Sequence, residues 1–232
     1  MLLHEGLGSV GLWRDFPARL ARATGCGVFA YSRLGYGRSD AVKLPRPLDY
    51  MQREATEILP RVLDAGGIGP CVLVGHSDGA SIAAVYAGRA NDARLRGLAL
   101  LAPHFFVEDI SLQAIEAMRH DYRSGALRDR LARRHDHPDC AFLGWAESWL
   151  DPDFPAVFDL SADLGRITVP MVILQGDADP YGTIAHAKLA ERLCQGTVRT
   201  VLLHCGHAPH IEAPDQTIAA VTRFAREAFG QT

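Results

Sequence analysis

Gly75-His76-Ser77-Asp78-Gly79 sets a serine between two glycines, after the apolar run Cys71 to Val74 and before the small-residue helical pattern Ala80 to Arg89. A strand that turns into a helix this sharply holds the central residue in a strained backbone conformation, and glycines at the flanks leave room for it. The Ser77 hydroxyl is then presented beyond the end of a sheet. A serine hydroxyl is a weak nucleophile near neutral pH, so the pattern implies chemistry only if a base and an acid that orients the base lie elsewhere. Both residue types follow in the order such a turn requires, serine then acid then histidine: Gly176-Asp177-Ala178-Asp179-Pro180, then His204-Cys205-Gly206-His207-Ala208-Pro209-His210.

The elements that must position these residues are readable from periodicity. Met1 to Leu3, Val28 to Tyr31, Cys71 to Val74, Leu98 to Ala102, Val169 to Gln175 and Val198 to Leu203 read as strands. Trp13 to Ala23, Asp49 to Ala65, Asp78 to Arg89, Thr183 to Leu193 and Pro214 to Phe229 read as helices between and after them. Strands that are continuous apolar runs are buried on both faces, which predicts a mainly parallel sheet with helices on either side, an α/β fold. The alternation stops across residues 104–166, where Ser111 to Ser124, Ala126 to Arg134 and Ala141 to Leu150 predict a helical lid inserted after the fourth strand of one domain spanning 1–232. In such sheets ligands sit beyond the carboxyl ends of the strands, the ends that carry Ser77, His104, Asp179 and His207.

Composition excludes several classes. The chain has 232 residues, 48% of them hydrophobic, enough for one sizeable core. A net charge of -3 gives no global positive field for nucleic acid or an anionic membrane, and the arginine-dense stretch Arg119 to Arg134 reads as a solvated helix face. No run approaches the roughly 18 apolar residues of a membrane span. Five scattered cysteines without a Cys-x-x-Cys pair suit a reducing cytoplasm. His135-Asp136-His137-Pro138-Asp139-Cys140 has a metal-like composition but sits in a Pro-containing loop, a poor frame for convergent ligands, so no metal is expected.

Taken in order, His4-Glu5-Gly6-Leu7-Gly8-Ser9, Ser32-Arg33-Leu34-Gly35-Tyr36-Gly37-Arg38-Ser39, Gly75 to Gly79, Gly176 to Asp179 and Gly206-His207 resemble the motifs of the α/β-hydrolase superfamily of esterases, lipases, lactonases and C-C hydrolases. The resemblance runs from Met1 to Phe229. It implies Ser77 as nucleophile, His207 as base and Asp179 as the acid, with Asp177 as a turn residue. Backbone N-H groups of Asp78 and Gly6 would cradle the oxyanion, each worth about 3 to 4 kcal/mol of barrier. It further implies a small-molecule ester or lactone substrate with an apolar acyl group of small to medium size. His104, Phe105, Trp145 and Trp149 of the lid region are the expected substrate contacts, and no organic cofactor is implied. The same triad also serves C-C bond hydrolysis and enol-lactone opening.

Two departures stand out. Family members generally carry an antiparallel hairpin before the oxyanion loop, whereas this sequence starts inside the strand that feeds it; either the start is truncated relative to the natural protein, or the bare edge Val28 to Tyr31 is hidden by homodimer formation. Glu5 stands where the usual loop has glycine, and since a carboxylate in the hole would repel an oxyanion, it is expected to point away. His76 is expected to pack, His204 to be structural and His210 to satisfy a loop carbonyl. Two competing readings come from other classes. One is an NADP-binding Rossmann module using Gly6-x-Gly8-x-x-Gly11 with Arg33 on a 2′-phosphate, and the other is a catalytically inactive hydrolase-fold protein.

Overall fold

Five strands pair side by side in chain order: β1 (Leu2–Leu3), β2 (Cys71–His76), β3 (Leu95–Leu101), β4 (Met171–Gly176) and β5 (Val198–Leu203). The computed structural model describes residues 1–231, and every strand pairing among them is parallel. Successive side chains point to opposite faces, so Leu73, Leu98, Leu100, Met171 and Ile173 enter one core, and Val72, Val74, Ala99, Leu101, Val172 and Leu174 the other. Helix α1 (Phe16–Thr24) sits on the second face, α2 (residues 50–65) and α3 (Asp78–Arg89) on the first. Burial on both faces of β2, β3 and β4 is what their apolar runs predict, whereas β5 is the sheet edge, with Arg199 and Leu202 exposed.

Between β3 and β4 the regular elements are all helical: α4 (Asp109–Arg123), α5 (Ala126–Ala132), α6 (Pro138–Trp149) and single turns at Phe154–Val157 and Ser161–Leu164. Its aromatics mainly hold the insertion together. Trp149, Phe154 and Phe158 cluster with ring centroids 5.0 to 5.2 Å apart, and Tyr122 stacks on Phe142 at 4.0 Å. Two arginines of this segment pair with carboxylates, Arg119 with Glu116 and Arg128 with Asp139. Beyond β4, α7 (Ala185–Leu193) returns to the first face, and α8 (Pro214–Ala228) packs beside α1 through Val221 and Phe224. No helix among the described residues is long and apolar enough to cross a membrane.

Two local expectations fail. Val28 to Tyr31 is not a strand: only Ala30 bridges Leu2, with one further bond from the Leu2 N-H to the Phe29 carbonyl at 2.8 Å. Its neighbour β1 is two residues long, so there is little ladder to join, and the insertion therefore follows the third strand rather than the fourth. Helix α2 survives Pro60 by a different route from a regular helix. A π-helical turn at Glu54–Ile58, closed by Leu59 N-H to Glu54 carbonyl, absorbs the donor and space that proline removes.

Candidate active site

β2 delivers its last residue, His76, directly into the turn at Ser77, whose φ of 53° and ψ of -120° are a strained conformation for a residue with a side chain. Neighbouring backbone enforces the turn. The Ser77 N-H donates to the Leu101 carbonyl at 2.9 Å, and its carbonyl accepts from Ala80 and Ser81 as α3 begins. A Cβ on Gly75 would lie 2.5 Å from the Ala80 Cα, and one on Gly79 would lie 2.6 Å from the His4 carbonyl oxygen, so both flanking positions need glycine for close approach. Asp78 is the first residue of α3, where backbone N-H groups have no partner within the helix and the macrodipole is positive.

The loops after β4 and β5 bring Asp179 and His207 together. His207 Nδ1 donates to the Asp179 carboxylate, 2.9 Å from both oxygens, which leaves Nε2 as the basic nitrogen. Asp179 also accepts from the Tyr181 N-H at 2.8 Å and from Gln175 Nε2 at 2.9 Å. Burial alone would raise this carboxyl, but the hydrogen bond and charge of His207 with these donors hold it below its ordinary value. Asp177 instead meets His204 at the surface.

The loop after β1 is held from beneath. His4 Nδ1 donates to the Glu5 carbonyl, and its Nε2 accepts the Arg33 N-H. The Arg33 guanidinium, 3% exposed, donates to the His4 and Glu5 carbonyls. Arg33 is thus committed inside the protein and is not presented to a dinucleotide phosphate. Glu5 is among the residues lining the cavity above Ser77, and its carboxylate reaches toward His76, 3.4 Å from Nδ1. Gly6 lies so close to the Trp145 indole that a Cβ there would come within 2.6 Å of Cδ1.

Of these parts Ser77, Asp78, His207 and Gly6 line a cavity of about 110 Å³ together with His104, Trp145 and Trp149, and Leu7, Ile115, Met118 and Tyr181 complete its apolar wall. Phe105, expected here, lies elsewhere. It is fully buried in the main core, its N-H bonded to His186 Nδ1. His104 reaches the cavity as a buried imidazole; burial and then the neighbouring His186, His207 and His76 push it well below its usual value, so it is neutral. Residues not foreseen are Tyr181, Gln175, and the α4 trio Ser111, Ile115 and Met118. The trio's spacing of four and three along one helix face was the available signal.

The remaining histidines have local duties. His76, expected only to pack, donates from Nε2 to the His207 carbonyl at 2.7 Å. His210 packs on Trp13, 4.7 Å between centroids, rather than on a carbonyl, and its Nδ1 has no partner. His135 accepts the Gly37 N-H and donates to the Leu7 carbonyl, while Asp139 pairs with Arg128 and Cys140 with the Val42 carbonyl, so the metal-like cluster is dispersed among separate partners.

A model of an alpha/beta hydrolase family matches residues 1–221. Among solved structures the chain is similar to an esterase from Exiguobacterium antarcticum (TM-score 0.75, 17% identity, 97% of this chain and 90% of that one). It is also similar to a hydrolase from Pseudomonas aeruginosa (0.74, 19%, 96% and 88%) and a monoacylglycerol lipase from Paleococcus ferrophilus (0.67, 16%, 98% and 93%). Identities this low speak to the fold. No curated protein matches the chain.

Proposed function

The chain belongs to the alpha/beta hydrolase family, and from that premise we propose that it is a serine hydrolase cleaving carboxylic esters of small, largely apolar acyl groups through an acyl-enzyme. One observation carries the reading: a serine in a strained strand-to-helix turn shares an apolar cavity with an imidazole whose other nitrogen is fixed by a buried carboxylate. His207 Nε2 takes the Ser77 proton as Oγ bonds to the acyl carbon, and the carbonyl oxygen becomes the oxyanion facing the N-H groups of Asp78 and Gly6. The tetrahedral species collapses, the ester C-O bond breaks, and His207 returns the proton to the departing alcohol. Water then repeats the sequence on the acyl-enzyme and frees the acid and Ser77.

The cavity is smaller than the roughly 300 to 1,000 Å³ of pockets that swallow a whole drug-sized ligand, which favours enclosing a short acyl chain with the alcohol outside. Five free cysteines support a reducing compartment such as the cytoplasm. The test is intact-mass spectrometry after a fluorophosphonate probe. A single adduct on wild type, absent from Ser77→Ala, followed by turnover of acetyl to butyryl esters, supports the reading. A folded wild type that takes no adduct and turns over no ester refutes it.

A further inference from the structure

Glu5 is a carboxylate in the loop that faces Ser77, and its surroundings suggest what it is for. Its Oε2 lies 3.4 Å from His76 Nδ1 across a ring that is 2% exposed. A carbonyl oxygen only accepts, so the 2.7 Å contact from His76 Nε2 to the His207 carbonyl fixes Nε2 as a donor. The Glu5 contact is a charge contact without a closed hydrogen bond, attractive when Nδ1 as well as Nε2 carries a proton; so arranged, carboxylate, imidazole and the main chain of the base residue run from the loop after β1, through the end of β2, to the loop after β5. Asp179 grips the His207 ring; His76 grips its backbone.

Every other group around this line is accounted for. The His76 ring meets the rings of Trp13, His207 and His210 at 6.4, 5.1 and 4.8 Å. Burial, with His76 beside it, takes His210 down to about 3, so it is neutral, and His4 is likewise neutral inside the protein. Arg33 bonds the carbonyls of His4 and Glu5 rather than the Glu5 carboxylate. For the Glu5 carboxyl, burial pushes up, yet the contact and charge of His76, followed by the influence of His4, hold it below the ordinary carboxylate range. Its side chain is 24% exposed, at the cavity wall.

We propose that Glu5 and His76 form a second acid–imidazole pair that positions the His207 main chain over Ser77, making Glu5 a positioning residue that couples the oxyanion loop to the base. The proposal rests on the serine hydrolase reading. It differs from a mere loop anchor in that Glu5 acts through His76, so the two residues share one effect.

The test is a double-mutant cycle on the full chain with a short-chain p-nitrophenyl ester, accompanied by thermal unfolding and fluorophosphonate labelling. His76→Phe keeps the ring and removes the donor. A main-chain slip of about 1 Å is worth roughly 100-fold, so kcat is expected to fall by about 10- to 100-fold with KM within about twofold. His76→Gln, which can place an amide donor near the position of Nε2, restores most of the loss. Glu5→Ala lowers kcat similarly, and the double variant is no slower than His76→Phe alone. Losses that multiply, or a His76→Gln no better than His76→Phe, overturn the pair. Wild type without labelling or turnover refutes the hydrolase reading instead, and the pair is then judged by NMR. It stands if a His76 Nε2-H resonance seen in wild type shifts or vanishes in Glu5→Ala, and fails if that signal is unchanged.

Discussion

Replacing Gly79 by alanine probes the closest approach in the site. The added Cβ would sit 2.5 Å from the Leu3 carbonyl carbon and 2.6 Å from the His4 carbonyl oxygen, where ordinary contact between carbon atoms is about 3.5 to 4.0 Å. About 1 Å must therefore be found, and the opposing atoms are backbone. Leu2 and Leu3 are tied into the sheet opposite Val74 and Gly75, and Arg33 pins the His4 carbonyl from below. Relief has to come from α3 moving off the loop after β1, which separates the Asp78 N-H from Gly6. Overpacking of this kind costs about 1 to 3 kcal/mol, and for a chain of this size each kcal/mol lowers Tm by about 2 to 4 °C. A displacement of about 1 Å between reacting parts costs roughly 100-fold in rate. Gly79→Ala should thus fold, melt about 2 to 12 °C lower by calorimetry, and label with fluorophosphonate about 100 times more slowly. Gly27→Ala is the control: no atom lies within 4 Å of its Cβ position and its φ is ordinary, so Tm should hold or rise slightly. A Gly79→Ala protein that matches wild type in both Tm and labelling rate would refute the close-approach argument.

Three further outcomes are expected. Because the folded Asp179 carboxyl lies below its unfolded value of about 3.8, its stabilisation is complete above that pH and is lost as pH falls through the lower folded value; the gap in urea stability between wild type and Asp179→Asn should shrink below about pH 4, and a pH-independent gap would contradict this. Arg89 of α3 forms a bidentate pair at 2.8 and 2.9 Å with Asp163, whose side chain is 5% exposed. Arg89→Ala should cost about 1 to 3 kcal/mol in urea unfolding by leaving that carboxylate unpaired, with part of the loss recovered in Arg89→Ala/Asp163→Ala. Ile115→Ala enlarges the acyl cavity, so the preferred acyl chain should lengthen by about one or two carbons on an ester panel, discrimination per methylene being about 1 to 3 kcal/mol; an unchanged chain-length profile would place the acyl group elsewhere.

What could be read from the sequence was the part fixed by local pattern. The pattern delimits β5 at Val198 to Leu203 and α3 at Asp78 to Arg89, and the lack of a strand signal across residues 104–166 marks the helical insertion. Glycine spacing located the turn at Ser77, because a near approach of two backbones leaves a mark in sequence. What escaped depends on partners distant in the chain. Val28 to Tyr31 has strand-forming residues, but a strand needs a neighbour long enough to pair with, and Leu2–Leu3 supplies only one bridge. Phe105 follows the right end of β3, yet burial turned it into the core while His104 took the cavity wall. Gln175 and Tyr181 flank the acid in sequence, but their service to Asp179 is a matter of side-chain and main-chain donors converging on two oxygens, which spacing does not encode.

The last carboxylate beside Ser77 makes a separate test. Asp78 is fully buried and contacts no cation: Tyr50 donates to Oδ2 at 2.5 Å, while the Trp145 and Trp149 indoles, four residues apart on α6, face the carboxylate without closing hydrogen bonds to Oδ1. Burial raises this carboxyl above its ordinary value, with Arg33 and these neutral donors opposing. A group held by neutral donors needs its oxygen more than its charge. Asp78→Asn keeps an acceptor for the indoles and an amide that can pair with the Tyr50 hydroxyl, so labelling is expected to stay within about tenfold of wild type, as an isosteric exchange that strands no partner should. Asp78→Ala strands the Tyr50 hydroxyl and removes the acceptor that faces the indoles at the joint between α3 and α6, and is expected to lose about 1 to 3 kcal/mol of stability, the cost of one stranded group, along with most labelling. If Asp78→Asn is as damaged as Asp78→Ala, the negative charge itself is required beside the nucleophile, and the neutral-donor account of this residue is wrong.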